Sequence, residues 1–349
     1  MRYLTVPCVA PLLLLMVACG GGGSRPLADA DVNQFLELRT YRLETGDVDP
    51  QPEWSPDGRW LLVRSERSLL LLHESGRRRH RVHGGRRPGH PAWIANDRIV
   101  FGPDEWFSTS DDGRIVIPTE GLVVVGVEAG GIMNHIGDLT DGAWRPEPWG
   151  PDIIAQRGGH LIRYDSAGRG ELYDEGYFAV PHPEDTDAIA FQTTPMVAPD
   201  HWTGKQSLGH LVVRWPDRSV TLHEGLVEAA WTGDDGIVAT RLAGLPPDPA
   251  RWWSVDTEVV HIAGPEAEPV VVMQGARHPS PHPDAPVVAV HGPDDAIYLC
   301  DRDGGYQRQI EASGRAPYWS PDGYRLAMEQ VDPDGGSVEL AVKVFKIRD

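Results

Sequence analysis

The sequence predicts an all-β protein, and three observations carry that prediction. No long segment places apolar residues at i, i+3, i+4 and i+7, so amphipathic helices are not indicated. Short alternating apolar stretches recur between turn residues, and Gly and Pro number 39 and 31 of the 349 residues. One motif recurs along the chain at a fairly regular spacing. Together these features indicate repeated antiparallel sheets.

The repeated motif is clearest at its two ends. Segments 52–61 and 317–326 match almost letter for letter, and each contains Trp-Ser-Pro-Asp-Gly. Ser, Pro and Gly suit the first, second and fourth positions of a type I turn, and an alternating apolar strand follows each turn. Including weaker copies, we place seven anchor positions at Trp54, Trp93, Trp144, Pro181, Trp231, Pro281 and Trp319. Their average spacing of about 44 residues is typical of four-stranded propeller blades, so seven blades are predicted, with six as the alternative.

The Pro-x-Trp-Ser-Pro-Asp-Gly unit resembles the WD-like repeat of TolB-type β-propellers from about residue 32 onward. The resemblance implies a protein- or peptide-binding or scaffolding role in the bacterial envelope, because TolB-like proteins are periplasmic partners of envelope complexes. The last copy leaves room for only three strands. We therefore expect the alternating segment 35–43 to supply the missing outer strand and close the ring.

The N-terminus predicts a lipoprotein signal. Arg2 precedes an apolar run of about a dozen residues that is too short to span a membrane, which indicates a signal peptide over 1–18. Met16-Val17-Ala18-Cys19 resembles the bacterial lipobox, so Cys19 is the predicted lipidation site, with palmitate among the expected acyl groups. A plain secretory signal cleaved after Ala18 is the alternative.

The rest of the chain then divides into a tether and one domain. Residues 19–31 hold the lipidated cysteine and a Gly-rich spacer, and 32–349 form a single propeller. Gly20 stands where some Gram-negative lipoproteins carry the Asp that retains them at the inner membrane. We therefore expect an exported protein anchored in the cell envelope, at the outer membrane if the source is Gram-negative.

Composition and motifs narrow the function. The formal net charge of −19 argues against nucleic-acid binding. The chain contains no Gly-x-Ser-x-Gly, His-Glu-x-x-His, phosphate-binding loop or Cys-x-x-Cys motif, so neither an enzyme nor a cofactor or metal site is predicted. The leading hypothesis is a lipid-anchored propeller that binds a protein or peptide partner.

Two groups of residues are candidates for that partner surface. The first is a cationic run on a strongly acidic chain, which could contact anionic lipid headgroups or an acidic partner: Arg77, Arg78, Arg79, Arg81, Arg86 and Arg87. A solvated loop or strand edge is the alternative. The second group is aromatic, in the longer repeats: Trp202, Trp252 and Trp253. Packing beneath the loops is the alternative there.

The rival hypothesis is a ligand- or metal-binding site, or an enzyme, at one mouth of the central channel. His182 and His282 occupy equivalent places in two non-adjacent repeats and have carboxylates nearby. Each also simply replaces the Ser of the Ser-Pro-Asp turn. A polar turn residue is therefore the simpler interpretation of both histidines.

Overall fold

The computed structural model describes residues 36–43, 52–65, 68–74, 79–84, 88–103, 108–109, 115–116, 121–127, 132–136, 143–193, 208–244, 255–331 and 338–344. The regular elements in these ranges are all β-strands, and no helix there is long and apolar enough to cross a membrane. Hydrogen bonds group the strands into seven four-stranded antiparallel sheets and one two-stranded sheet. The prediction of an all-β propeller is confirmed.

The sheets are numbered here in chain order of their first strands. Sheet 1 contains β2 (Glu53–Trp54), β3 (Trp60–Ser65), β4 (Ser68–His73) and β5 (Arg79–Gly84). Sheet 2 contains β6 (Pro88–Ala95), β7 (Arg98–Pro103), β10 (Leu122–Gly126) and β11 (Ile132–Ile136). The separate pair is β8 (Ser108–Thr109) and β9 (Ile115–Val116). Sheet 3 contains β12 (Trp144–Trp149), β13 (Asp152–Arg157), β14 (His160–Tyr164) and β15 (Gly170–Glu175).

The remaining sheets follow the same plan. Sheet 4 contains β16 (Tyr177–Pro181), β17 (Ile189–Gln192), β18 (His210–Arg214) and β19 (Val220–Glu224). Sheet 5 contains β20 (Leu226–Trp231), β21 (Ile237–Leu242), β22 (Thr257–Ile262) and β23 (Val270–Gln274). Sheet 6 contains β24 (Arg277–Pro281), β25 (Val287–His291), β26 (Ile297–Asp301) and β27 (Gln307–Glu311). Sheet 7 contains β28 (Arg315–Trp319), β29 (Arg325–Val331), β30 (Val338–Val344) and β1 (Leu36–Leu43).

The two ends of the chain meet in sheet 7. β1 pairs antiparallel with β30, from Leu36 opposite Val344 to Leu43 opposite Val338. β2 of sheet 1 also contacts β28 of sheet 7. The first and last sheets in the sequence are therefore neighbours in space.

The hydrophobic core is divided among the spaces between sheets. Every neighbouring pair of sheets, including sheets 7 and 1, shares one cluster of buried apolar side chains. The division follows from the strand period, because successive side chains point to opposite faces. On β3, Leu61 and Val63 join the cluster shared with sheet 7, whereas Leu62 joins the cluster shared with sheet 2. Burial on both faces explains the continuous apolar run Leu69–Leu72 of β4.

Anchor tryptophans also tie the first strands of neighbouring sheets together. The indole Nε1–H of Trp54 donates to the Tyr318 carbonyl at 3.2 Å, and that of Trp231 donates to the Val180 carbonyl at 2.9 Å. Trp93 makes the same bond to the Glu53 carbonyl at 3.3 Å. All three rings are buried. The large aromatic of the motif thus both fills a space between sheets and satisfies a main-chain acceptor there.

One predicted anchor is wrong. In sheet 3 the pairing between β12 and β13 shifts between Trp144 and Glu147, as it shifts between Arg315 and Tyr318 in sheet 7. Counting from that shift, the residue equivalent to Trp319 is Pro148. Trp144 lies four residues earlier and matches Arg315. The error arose because Trp144 is a buried tryptophan near a turn, although its strand continues to Trp149.

Trp231 offers a test of the joint between sheets. Trp231→Phe removes the donor to Val180 and part of the buried ring, so we expect a loss of about 1–3 kcal/mol in the free energy of unfolding. Trp231→Ala also leaves a cavity, so a loss of roughly 3–5 kcal/mol is expected. Urea unfolding at fixed pH measures both, and Tyr324→Phe at an exposed position serves as the control. Equal stability of wild type and both Trp231 variants would contradict this account.

Candidate functional site

A cavity of about 290 Å³ lies among the first strands of sheets 3 to 7 and is called the central cavity below. Its lining includes one residue at the same position of each of these five strands. These five, called the bulge residues, are Arg145, Phe178, Glu228, His278 and Ala316. Five consecutive sheets therefore contribute to one partly open cavity.

A repeated distortion of the backbone accompanies this convergence. In each of the five sheets the pairing of the first and second strands shifts by one residue, and the bulge residue lies inside the shift. All five bulge residues have a positive φ, between 47° and 52°. A side chain with a Cβ adopts this conformation at a cost of about 1–3 kcal/mol. An extra residue in one strand re-aims its side chain, and here all five line the cavity.

Arg145 brings a partly buried positive charge to the cavity, since its side chain is 25% exposed. Its guanidinium carbon lies 4.6 Å from the centroid of the Phe178 ring. The closest approach to Glu147 is 4.0 Å from Nε, which is too long for a hydrogen bond. The Nε atom is buried and has no hydrogen-bond partner among the described residues. Burial lowers the pKa of Arg145, and the charges of Glu147, Tyr318 and Glu228 partly offset that effect.

Glu228 and His278 form an ion-pair arrangement on the neighbouring strands β20 and β24. His278 Nδ1 lies 2.6 Å from one carboxylate oxygen of Glu228. The other oxygen accepts hydrogen bonds from the His278 main-chain N–H and the Thr240 hydroxyl, both at 2.9 Å. Burial alone would raise the pKa of Glu228, but these partners together lower it. The carboxylate of Glu228 therefore finds its partners within the cavity wall.

Two further glutamates lie on the first strands of sheets 1 and 3. Burial raises the pKa of Glu53 to about 8, with a further contribution from the charge of Glu147. Burial raises the pKa of Glu147 to about 7 despite the opposing charge of Arg145. His90, on β6, has its pKa lowered by burial and by the charges of Arg145 and Arg64. First strands from sheets 1, 2 and 3 thus carry titratable groups whose charges interact with one another.

His182 and His282 follow the first strands of sheets 4 and 6 and do not line the central cavity. Nδ1 of His182 accepts the main-chain N–H groups of Glu184 and Asp185, at 3.2 and 2.9 Å. His282 Nδ1 likewise accepts those of Asp284 and Ala285, at 3.1 and 3.0 Å. Ser55 and Ser320 hold the equivalent place, but their hydroxyls accept the main-chain N–H groups of Trp60 and Arg325, five residues further on. The imidazoles therefore take the place of the serine in the turn but bond different main-chain N–H groups.

The second nitrogen of each of these histidines reaches the next sheet. Nε2 of His182 lies 3.1 Å from Asp235 Oδ1, and Nε2 of His282 lies 3.0 Å from the Gly323 carbonyl. Each ring packs edge-on against a tryptophan of that sheet, Trp231 or Trp319. Gly323 has no Cβ, which would lie 2.4 Å from His282 Cε1. Both ring nitrogens are thus engaged within the protein, and a ligand site at these histidines stays a prediction.

The predicted partner surface falls mostly on residues outside the described ranges. Arg79 and Arg81 belong to β5, the outer strand of sheet 1, which is where the cationic run was expected. Outside the described residues lie Cys19, Arg77, Arg78, Arg86, Arg87, Trp202, Trp252 and Trp253. Within the described residues, no three His, Cys, Asp or Glu side chains are grouped as metal ligands.

The cavity residues were missed at the sequence level. Three of them carry charge or an aromatic ring three places before an anchor, at Phe178, Glu228 and His278. Arg145 holds the same place relative to Pro148 but not to the misplaced anchor at Trp144. These residues could have been found by aligning the repeats on the correct anchors and comparing the residue three places before each anchor.

Comparisons with known proteins support the fold. No family model and no curated protein matches the chain. An oligogalacturonate lyase in complex with manganese is 14% identical, with a TM-score of 0.60 and coverage of 88% of this chain and 96% of that one. A chain of the mitotic checkpoint complex is 10% identical, with a TM-score of 0.59 and coverage of 89% and 95%. The β-propeller domain of Myceliophteria thermophila Cps50 (Swd1) is 10% identical, with a TM-score of 0.54 and coverage of 86% and 99%. Such likeness shows a β-propeller.

Glu53 gives a test of the electrostatics between the first strands. Its pKa in the folded protein, about 8, lies above the ordinary value of 4.5, so the folded state binds this proton more tightly than the unfolded state. The resulting stabilisation is complete below pH 4.5 and is lost as the pH rises to about 8. We expect Glu53→Gln to match wild type near pH 4.5 and to exceed it by ~1 kcal/mol or more at pH 8.5.

Urea unfolding at the two pH values measures this difference. The Gln side chain keeps an oxygen that can accept the Trp93 main-chain N–H, which lies 3.3 Å from Glu53 Oε1. Glu175→Gln, at an exposed position of β15, is the matched control. A Glu53→Gln gain that is the same at both pH values would contradict the raised pKa.

Proposed function

We propose that this protein is an envelope β-propeller that binds a small organic ligand in its central cavity. The observation that carries the proposal is the convergence of the five bulge residues, from five consecutive sheets, on one space. Ligand sites are typically concave and largely apolar, with a few convergent polar groups. The central cavity has that composition, since Phe178 and Ala316 stand beside Arg145, Glu228 and His278.

The central cavity contains two features that lower the stability of the folded protein. Positive φ angles at five non-glycine residues and partly buried charged groups both lower the stability of the folded state. A structure selected only for packing would place apolar side chains in regular strands there. Binding a ligand gives these features a use, because strained backbone and perturbed charges cluster at functional sites.

The proposal also includes a closed ring of sheets and a lipid anchor in the envelope membrane. All seven sheets act as blades of one TolB-like ring, residues 32–349, which β1 closes by pairing with β30. Cys19 carries the lipid, and residues 19–31 tether the ring to the envelope membrane. The pairing of β1 with β30 supports the closed ring.

Protein binding is a second candidate, and exposed apolar residues favour it. Val220 and Leu222 alternate with half-buried residues on β19, an outer strand, and are 57% and 63% exposed. An outer strand with free main-chain groups can add a strand from a partner. Propellers like this one include a chain of the mitotic checkpoint complex, so the fold is compatible with assembly as well as with ligand binding.

Filling the cavity separates the two candidates. Ala316 has the same backbone conformation as Phe178, with φ of 47° against 52°, and Phe178 already directs its ring into the cavity. We therefore expect Ala316→Phe to fold normally and to abolish thermal stabilisation by any compound that stabilises wild type in a small-molecule screen. Val270→Phe, at an exposed position of β23, is the matched control.

Each outcome of the screen decides between the candidates. Compounds that raise the melting temperature of wild type and Val270→Phe but not of Ala316→Phe support the cavity. Compounds that stabilise all three proteins equally, or a screen without stabilising compounds, contradict ligand binding at this place. Partner binding on β19 would survive in Ala316→Phe.

The anchor is tested in the source cells. Cys19→Ser removes the thiol that lipidation requires, so we expect the protein to move from the membrane pellet to the soluble fraction. Fractionation and a mass measurement of the mature protein detect the change and the missing acyl groups. A wild-type protein without lipid mass, or a Cys19→Ser variant still in the pellet, would contradict the anchor.

A further inference from the structure

Arg145 differs from several other arginines of the described sheets, because it has no carboxylate within hydrogen-bond distance. Arg163 lies 2.7 Å from Asp152, and Arg315 lies 2.7 Å from Glu329. Arg214, Arg241, Arg302 and Arg325 also contact carboxylates directly. Arg145 Nε has no hydrogen-bond partner among the described residues and is buried. A buried donor without a partner is costly, so a ligand that accepts a hydrogen bond from Arg145 would stabilise the folded protein.

The neighbours of Arg145 do not supply that group. Glu147 is 4.0 Å from Nε, and burial keeps the pKa of its carboxyl near 7, so it is a poor permanent counterion. Phe178 covers the guanidinium at 4.6 Å but offers only its π-face. On the cavity wall, the carboxylate of Glu228 is already held by His278 and Thr240. The cavity therefore carries one positive charge without a committed partner.

Charge and size together select a class of ligand. We propose that the central cavity binds a small organic carboxylate, whose carboxylate group pairs with the guanidinium of Arg145 and whose body packs on Phe178 and Tyr318. This inference rests on the proposed function and specifies its ligand. A planar carboxylate matches the fork of N–H donors on arginine, and such pairs are strong when shielded from water.

The alternatives fit less well. A phosphate group carries nearly two charges, and the lining offers a single uncommitted cation. A peptide is too large for about 290 Å³, which is the liquid volume of roughly ten water molecules. An amine would meet the positive charge of Arg145. A carboxylate of about ten heavy atoms satisfies both the charge and the volume.

The test uses three probes of one shape. Benzoate, benzamide and benzylamine share a ring and differ in charge, and their binding to the full mature chain is measured by calorimetry at pH 7. We expect benzoate to bind at least tenfold more tightly than benzamide and benzylamine. In Arg145→Gln, benzoate affinity should fall at least tenfold, to the level of benzamide.

Two controls keep the test independent of folding. Arg169→Gln removes the same charge from an exposed turn of sheet 3 and should leave benzoate affinity unchanged. In wild type, benzoate should shift the Nε–H signal of Arg145 in a nitrogen-15 NMR spectrum and benzamide should not. This second measurement decides the matter even if Arg145→Gln folds poorly.

The outcomes distinguish ligand binding in the central cavity from specificity for carboxylates. Equal affinity for benzoate and benzamide, preference for benzylamine, or an unshifted Arg145 signal would overturn carboxylate recognition. If benzamide or benzylamine binds the wild type but not Ala316→Phe, ligand binding in the cavity is supported. The specificity of the cavity for carboxylates is then rejected. Binding of all three probes that Ala316→Phe leaves unchanged would count against the cavity itself.

Discussion

The contact between the first strands of neighbouring sheets is the constraint on which the rest of this structure depends. A four-stranded sheet buried on both faces cannot exist alone, because each face needs a partner. The indoles of Trp54, Trp93 and Trp231 meet this need twice, by filling the space between sheets and by bonding a main-chain carbonyl of the preceding one. Trp54 makes that bond between the first sheet and the last, with Arg325 stacked 5.0 Å from its ring.

The same constraint explains how a distorted backbone is tolerated at the central cavity. The residues that follow each bulge are held by pairing with the second strand and by the core between sheets. A bulge residue such as Phe178 or Glu228 can therefore keep a positive φ without loosening its strand. The packing of the flanking residues stabilises the folded state, and this stabilisation offsets the backbone strain at the bulge residue.

How far the sequence predicts this structure depends on which physical signal each part leaves. Turn chemistry and strand alternation are local, so the repeat, the third strands such as Leu69–Leu72 and the buried anchors were predictable. Trp144 misled because size and burial do not define a register, which pairing with β13 does. The bulges left little local signal, since Arg, Phe and Glu are not residues that favour a positive φ. Arg145 could be recognised only in the three-dimensional structure, where its buried Nε atom has no hydrogen-bond partner among the described residues.

The pairing of β1 with β30 has a consequence for the way the chain reaches this state. Leu36 and Val344 are joined across nearly the whole sequence, so the ladder cannot form until almost all of the chain is present. Contacts of such long sequence separation are slow, because their loop-closure entropy is lost before they contribute any stability. Until then the outer edge of β30 stays unpaired. With that edge unpaired, β30 is able to pair with a strand of another copy of the chain.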